Sequence, residues 1–354
     1  MGSLIGHVIL GFGFFLIGIW HLLNHIKLLH AFYPKSYTYL PWFPAPKIRY
    51  AELFVIMFGT LVSISMELFI GPSKHQHFDS DGTIPSYHLH NFEHANISLT
   101  FFVYASFSIL FDKIIPSTSA QNGLTLFLGA VAFGQEFLLF LLHSTDHMGV
   151  EGQYHWLLQV VIFLSFVTTL LGIPFPKSFL NSFVRSYSIM FQRIWMMVIG
   201  IMLWTPEFIS KGCFINFEEG HKVVRCHNKE ALERAKSLLN IQFSWYLVGI
   251  TAFTLSVYLI LVKFFRENIE YLSLISKFEK EDLFEDVEAQ KKSLVNHIGE
   301  QKRFVEKGKK RIIRNGMSVL FCVSKFSKLC ESQLPKFREL VVGKRVITGL
   351  GARV

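Results

Sequence analysis

Within thirteen residues, His143 to His155, the chain places three imidazoles (His143, His147, His155) and two carboxylates (Asp146, Glu151). His143 and His147 stand at i, i+4, so a continuing helix turns both rings to one side, the arrangement of paired metal ligands. Asp146 is available as a further ligand or to orient an imidazole. A second set, His88, His90, Glu93 and His94, precedes the third apolar run. His90-Asn-Phe-Glu-His94 matches the H-x-x-E-H string of one zinc-protease class, a weak signal in a chain with 15 histidines. Three imidazoles drawn from His90, His94, His143, His147 and His155 would suit zinc, with Glu93, Glu136 or Asp146 as general base or ligand orienter. An open fourth position makes such a metal hydrolytic, toward a lipid-like substrate in this setting; a closed one makes it structural.

The elements that must position these groups are membrane helices. Mean hydropathy is +0.37 and only 17% of residues are charged, against about 25% in a soluble domain. Phenylalanine supplies 37 of 354 residues. Seven apolar runs approach the roughly 20 residues that a bilayer core requires: 4–29, 51–70, 93–111, 124–142, 156–171, 193–208 and 241–262. The fifth and sixth are short, which leaves a tilted or re-entrant geometry open there. The expected fold is an all-α polytopic bundle of seven transmembrane helices over residues 1–262, followed by a basic, partly helical cytosolic tail over 263–354. No removable targeting peptide is visible, because the N-terminus lacks a basic region and its apolar run is long enough to span.

The net charge of +9 is uneven, +8 on residues 263–354 and +1 on the rest. A neutral body with a basic tail excludes a globally basic nucleic-acid binder and points to anionic lipid or a protein partner for the tail. Residues 302–314 alone hold seven basic side chains. Leu272, Ile275, Leu283 and Val287 recur at helix-like spacing among charges, as in a segment lying on a membrane surface. Segments 27–50, 112–122 and 173–193 hold eight Lys and Arg, whereas 71–92 and 143–155 hold one. The positive-inside rule therefore sets the N-terminus lumenal or extracellular and the C-terminus cytosolic, in an endomembrane or the plasma membrane. Tyr37, Tyr39 and Trp42 read as interfacial belt residues. Cys213 and Cys226 share a loop on the oxidising side, where a disulfide or two free thiols are both admissible. Asn96-Ile-Ser98 fits a glycosylation sequon but lies within the third helix, so it is expected to be unused.

Ionisable groups at membrane depth are costly and mark functional sites by default. His7, His21 and His25 share one stripe of the first helix, which should face the bundle interior. An outer layer gathers His7, Glu67, His88, His90, Glu93, His94, Glu136 and the His143–His155 stretch. An inner layer holds His21, His25 and Glu52. Glu136, so deep, requires a proton or a partner, a histidine being the expected one. Trp195 and Trp204 read as packing and interface anchors.

Gly6-His7, Trp20-His21, Phe92-Glu-His94 and His143-x-x-Asp-His-Met-Gly-x-Glu-Gly-x-x-His155-x-Leu-Leu resemble the plant branch of the transmembrane protein 45 family over residues 1–262. The resemblance implies a multi-pass, endomembrane-associated protein with no established biochemical activity. It also implies shared polar positions at His7, His21, Glu93, His94, Glu136, His143, Asp146, His147, Glu151 and His155. That family usually ends soon after its seventh helix, so residues 263–354 depart from it. Seven-helix zinc hydrolases offer an analogy of architecture alone. Three functions are compatible with these residues: a membrane-embedded zinc site, a proton or metal-ion transporter using carboxylates and imidazoles at two depths, and a non-catalytic trafficking or scaffold protein.

Overall fold

The computed structural model describes residues 4–31, 37–70, 78–116, 119–142, 149–218 and 221–281. His143, Asp146 and His147 lie outside the described residues, as does the tail from residue 282 onward. Seven helices follow in chain order: α1 (Leu4–Ala31), α2 (Ala51–Ser65), α3 (Leu89–Ile114), α4 (Ser119–Leu141), α5 (Gly149–Leu171), α6 (Phe179–Trp204) and α7 (Lys229–Glu281). Each, α2 together with the turn that continues it to Ile70, carries a segment long and apolar enough to cross a membrane, so the chain is a multi-pass membrane protein. Large apolar side chains such as Phe58, Trp245 and Leu259 face outward, as lipid-facing residues do.

The fifth and sixth helices are full-length spans and not short ones. α6 starts fourteen residues before the expected position, where Ser178 caps it by accepting from the Asn181 amide at 3.2 Å. Its first fifteen residues hide from a hydropathy scan because they include Ser182, Arg185, Ser186, Ser188, Gln192 and Arg193, all buried against other helices. Arg185 and Arg193 are therefore interior residues and not part of an interfacial loop. Removing both from the loop count leaves six basic residues against one in the two short outer segments, while 207–240 holds six more, so the charge bias then rests on residues 263–354. α7 likewise begins before the expected position, with Asn228 Oδ1 accepting from the Ala231 amide at 2.8 Å.

α1 and α6 form the tightest pair in the bundle. A Cβ on Gly11 would sit 2.5 Å from Met197 and 3.1 Å from the Arg193 carbonyl; one on Gly18 would sit 2.6 Å from Met190. Small residues let helix backbones approach in a membrane, where apolar burial alone gives little drive. Gly200 repeats the device from the α6 side, against His7 Cβ.

Two features depart from a purely helical bundle. β1 (Cys213–Glu218) and β2 (His221–Cys226) form an antiparallel hairpin between α6 and α7. A Cys213–Cys226 disulfide closes its base, resolving the choice between bridge and thiols. At the opposite end, Tyr37, Tyr39, Trp42 and Phe43 are buried within the bundle, not spread along an interface. Tyr39 donates its amide to Pro176 O at 2.6 Å, and the Tyr104 hydroxyl donates to Pro41 O at 3.1 Å. Residues 37–43 thus plug the loop end of the bundle. Asn96 is exposed on α3 within the candidate span, as the sequon argument expected.

Candidate functional site

A cavity of about 130 Å³ opens at the hairpin end. Its rim is built by the ends of five elements. α1 supplies His7, α3 supplies His90 and His94, and α5 supplies Glu151 and His155; Trp204 closes α6 and Lys222 comes from β2. His90 and His94, one turn apart, have ring centroids 6.4 Å apart. His94 and His155 flank Phe140 at 6.2 and 5.9 Å between centroids. His7 packs on Trp204 at 4.7 Å, so Trp204 is a rim residue as well as an anchor.

Below the rim the walls are apolar, with Leu10, Phe14, Ile97, Phe101, Leu158 and Ile199 among them. The floor is charged. Glu136 Oε1 accepts from Gln192 Nε2 at 2.7 Å. Arg193 Nη1 lies 3.3 Å from Glu136 Oε1, and Arg193 Nη2 donates to Glu136 Oε2 at 3.4 Å. The guanidinium lies 4.9 Å from the Phe14 ring centroid and 5.9 Å from that of Phe101. Glu136 is 2% exposed and Arg193 6%. Glu136 therefore has its partner, and the partner is an arginine and not a histidine. An arginine keeps its charge at any ordinary pH and so balances a buried carboxylate directly, whereas a histidine would first have to take up a proton.

The outer-layer candidates separate as follows. His7, His90, His94, Glu136, Glu151 and His155 line the one cavity. Glu93 does not line it, although it shares α3 with His90 and His94. Glu67 sits in a π-helical turn, Met66–Ile70, that continues α2. It accepts from Asn91 Nδ2 at 3.0 Å and lies 3.5 Å from His94 Nδ1, behind the rim. His88 lies 3.4 Å from the same asparagine. Among the described residues no group of three or more His, Cys, Asp or Glu side chains is arranged to hold a metal ion. His90, His94 and His155 therefore do not make a metal site by themselves.

The inner layer forms a second, fully buried network at the loop end. Arg185 Nη1 donates to His21 Nδ1 at 3.3 Å. Arginine has only donors, so His21 must carry its proton on Nε2, which donates to Glu52 Oε1 at 2.7 Å. Glu52 Oε2 accepts from the Phe43 amide at 2.9 Å, tying the plug to α2. Arg185 Nε donates to Thr169 Oγ1 at 2.9 Å. His25 Nδ1 pairs with the Tyr37 hydroxyl at 2.9 Å, while its ring stacks on Tyr39 at 5.3 Å. Burial pushes the Tyr39 phenol up to about 12. His7, His21 and His25 are 8%, 2% and 0% exposed, so the predicted stripe does face the interior.

Arg185, Gln192, Arg193 and Lys222 were not singled out from sequence. A signal for three of them was present: Ser182, Arg185, Ser186, Gln192 and Arg193 are related by spacings of three, four and seven, so one stripe of α6 is polar. Nothing in the sequence brings Lys222 to the rim.

Residues 122–259 match the model of a family of unknown function, DUF716. The DUF716 segment contains Glu136, Glu151, His155, Arg185, Gln192 and Arg193, which make the floor, part of the rim and one side of the inner network. His7, His21, Glu52, His90 and His94 lie outside it and complete both sites from α1, α2 and α3. No curated protein matches the chain.

Proposed function

We propose that this protein takes a lipid-like molecule into the cavity at its hairpin end, with a zinc ion at the rim as the reactive centre. Support comes from one observation: eight ionisable side chains from five helices and one strand line a single apolar-walled cavity that ends on a buried ion pair. Ionisable groups gathered around a cavity inside a membrane protein mark a functional site by default. Three of His90, His94, His143, His147 and His155, with His143 or His147 among them, would hold the metal, and Asp146 or Glu151 would act as base. Bound there, zinc would activate water for hydrolysis. The chain's own residues orient the substrate, with Phe14, Phe101 and Phe140 excluding water from its apolar part. In this reading the cavity faces the lumenal or extracellular side, which the charge bias supports, and the protein is endomembrane-associated, as its resemblance to the transmembrane protein 45 family implies. The test is metal content per chain of detergent-purified protein. Stoichiometric zinc lost in both His90→Ala/His94→Ala and His143→Ala/His147→Ala variants supports the reading; no metal in the wild type rejects it.

A proton or ion transporter is the second reading, favoured by polar side chains that bridge the two networks. The Ser165 hydroxyl lies 3.3 Å from Gln192 Oε1 and 3.0 Å from Ser188 Oγ. Thr169, one turn along α5, receives Arg185. Two fixed guanidinium charges on this column oppose cation passage, as they do in other selective pores. Reconstituted vesicles that show no change of internal pH or zinc would remove this alternative.

A further inference from the structure

We infer that the floor of the cavity selects a neutral carbonyl group, of ester or amide type, over an anionic headgroup. The inference rests on the reading of the cavity as a ligand site and adds the chemical class of the ligand.

Arg193 is the deciding residue. It is 6% exposed, lines the cavity and has five N–H donors. Its contacts with Glu136 are long, at 3.3 and 3.4 Å, and its remaining polar contact is the Met196 sulfur at 3.7 Å. Nε has no hydrogen-bond partner. Glu136 makes its shortest bond to Gln192 instead, at 2.7 Å. A buried guanidinium with donors to spare calls for an acceptor, since unmade hydrogen bonds in an apolar site are costly.

Charge decides which acceptor. The Arg193–Glu136 pair already sums to zero, so a carboxylate or phosphate added to this floor would leave a net negative charge inside apolar walls. A carbonyl oxygen accepts from Arg193 without that penalty. At the other end of the cavity, His7, His90, Glu151 and Lys222 receive a polar group. The ligand is therefore a neutral amphiphile: a carbonyl at its inner end, an apolar body and a polar outer end.

The experiment is calorimetric binding in detergent with three probes of one chain length. These are methyl ω-hydroxydecanoate, the matching monomethyl ether that lacks the carbonyl, and the free ω-hydroxydecanoate anion. Each is titrated into wild type, Arg193→Lys and Arg193→Gln/Glu136→Gln, all checked for monodispersity. Wild type should bind the ester about tenfold more tightly than the ether, the worth of one hydrogen bond from a charged donor. It should discriminate at least as strongly against the anion. The double variant, which stays neutral but loses the guanidinium, should lose the ester preference; Arg193→Lys should reduce it. Equal affinity for ester and ether, or tighter binding of the anion, overturns the inference. No saturable binding of any probe overturns the cavity reading with it. Absence of zinc, measured separately, rejects the metal site and leaves the carbonyl preference standing.

Discussion

Arg193→Gln removes one half of a buried ion pair and leaves the other in an apolar surround. At 3.3 Å, and with an effective dielectric constant near 20, the attraction is about 5 kcal/mol. Desolvation of both groups offsets much of it, yet breaking a buried pair from one side costs about 3–5 kcal/mol. Glu136→Gln should cost a similar amount, because Arg193 then loses its counter-charge. Arg193→Gln/Glu136→Gln replaces two charges by two amides, and its loss should be well below the sum of the singles. The assay is thermal unfolding in detergent followed by tryptophan fluorescence. At about 2–4 °C per kcal/mol, each single variant should melt roughly 6–20 °C below wild type. The double variant should recover most of that. Single effects that simply add in the double variant, or singles that leave the midpoint unmoved, would refute an ion pair at this floor.

Helix approach gives a second test. Gly18→Val should destabilise by about 1–3 kcal/mol, since its Cβ meets Met190 backbone as well as side chain. Gly13→Ala, with nothing within 4 Å, should be neutral or gain up to about 1 kcal/mol from helix propensity; both are read as shifts in the same unfolding midpoint. Glu52→Ala strands His21 Nε2 and the Phe43 amide, and at about 1–3 kcal/mol for each buried unpaired group it should destabilise clearly more than Glu52→Gln, which keeps an acceptor. Cys213→Ser/Cys226→Ser should loosen the hairpin by about 3 kcal/mol, the loop-closure value for a loop of this size. Limited proteolysis between β1 and β2 should then cut the variant much faster than wild type.

Membrane character, helix number and the inward face of α1 were legible because they rest on local properties: apolar length, and the 3.6-residue repeat that puts His7, His21 and His25 on one stripe. The clustering of His90, His94, Glu136, Glu151 and His155 was legible for a related reason. Topology alone returns alternate helix ends to the same side of a membrane, so groups near those ends become neighbours. Sequence misjudged α6, whose interior polar residues lower its hydropathy as if it were a loop. Hydropathy sums over all faces of a helix, whereas Arg185, Gln192 and Arg193 are buried on one face and balanced by other helices.

What the chain determined by itself is therefore the set of membrane helices and which of their ends carry imidazoles and carboxylates. Only the tertiary structure decided the pairing: Glu136 to Arg193 and Gln192, His21 to both Arg185 and Glu52, residues 37–43 into the bundle, Lys222 onto the rim. The physical reason is that a buried charge can be balanced from any neighbouring helix within a few ångströms. Which helix is near is set by close packing, here by Gly11, Gly18 and Gly200 drawing α1 and α6 together, and not by any pattern along a single segment.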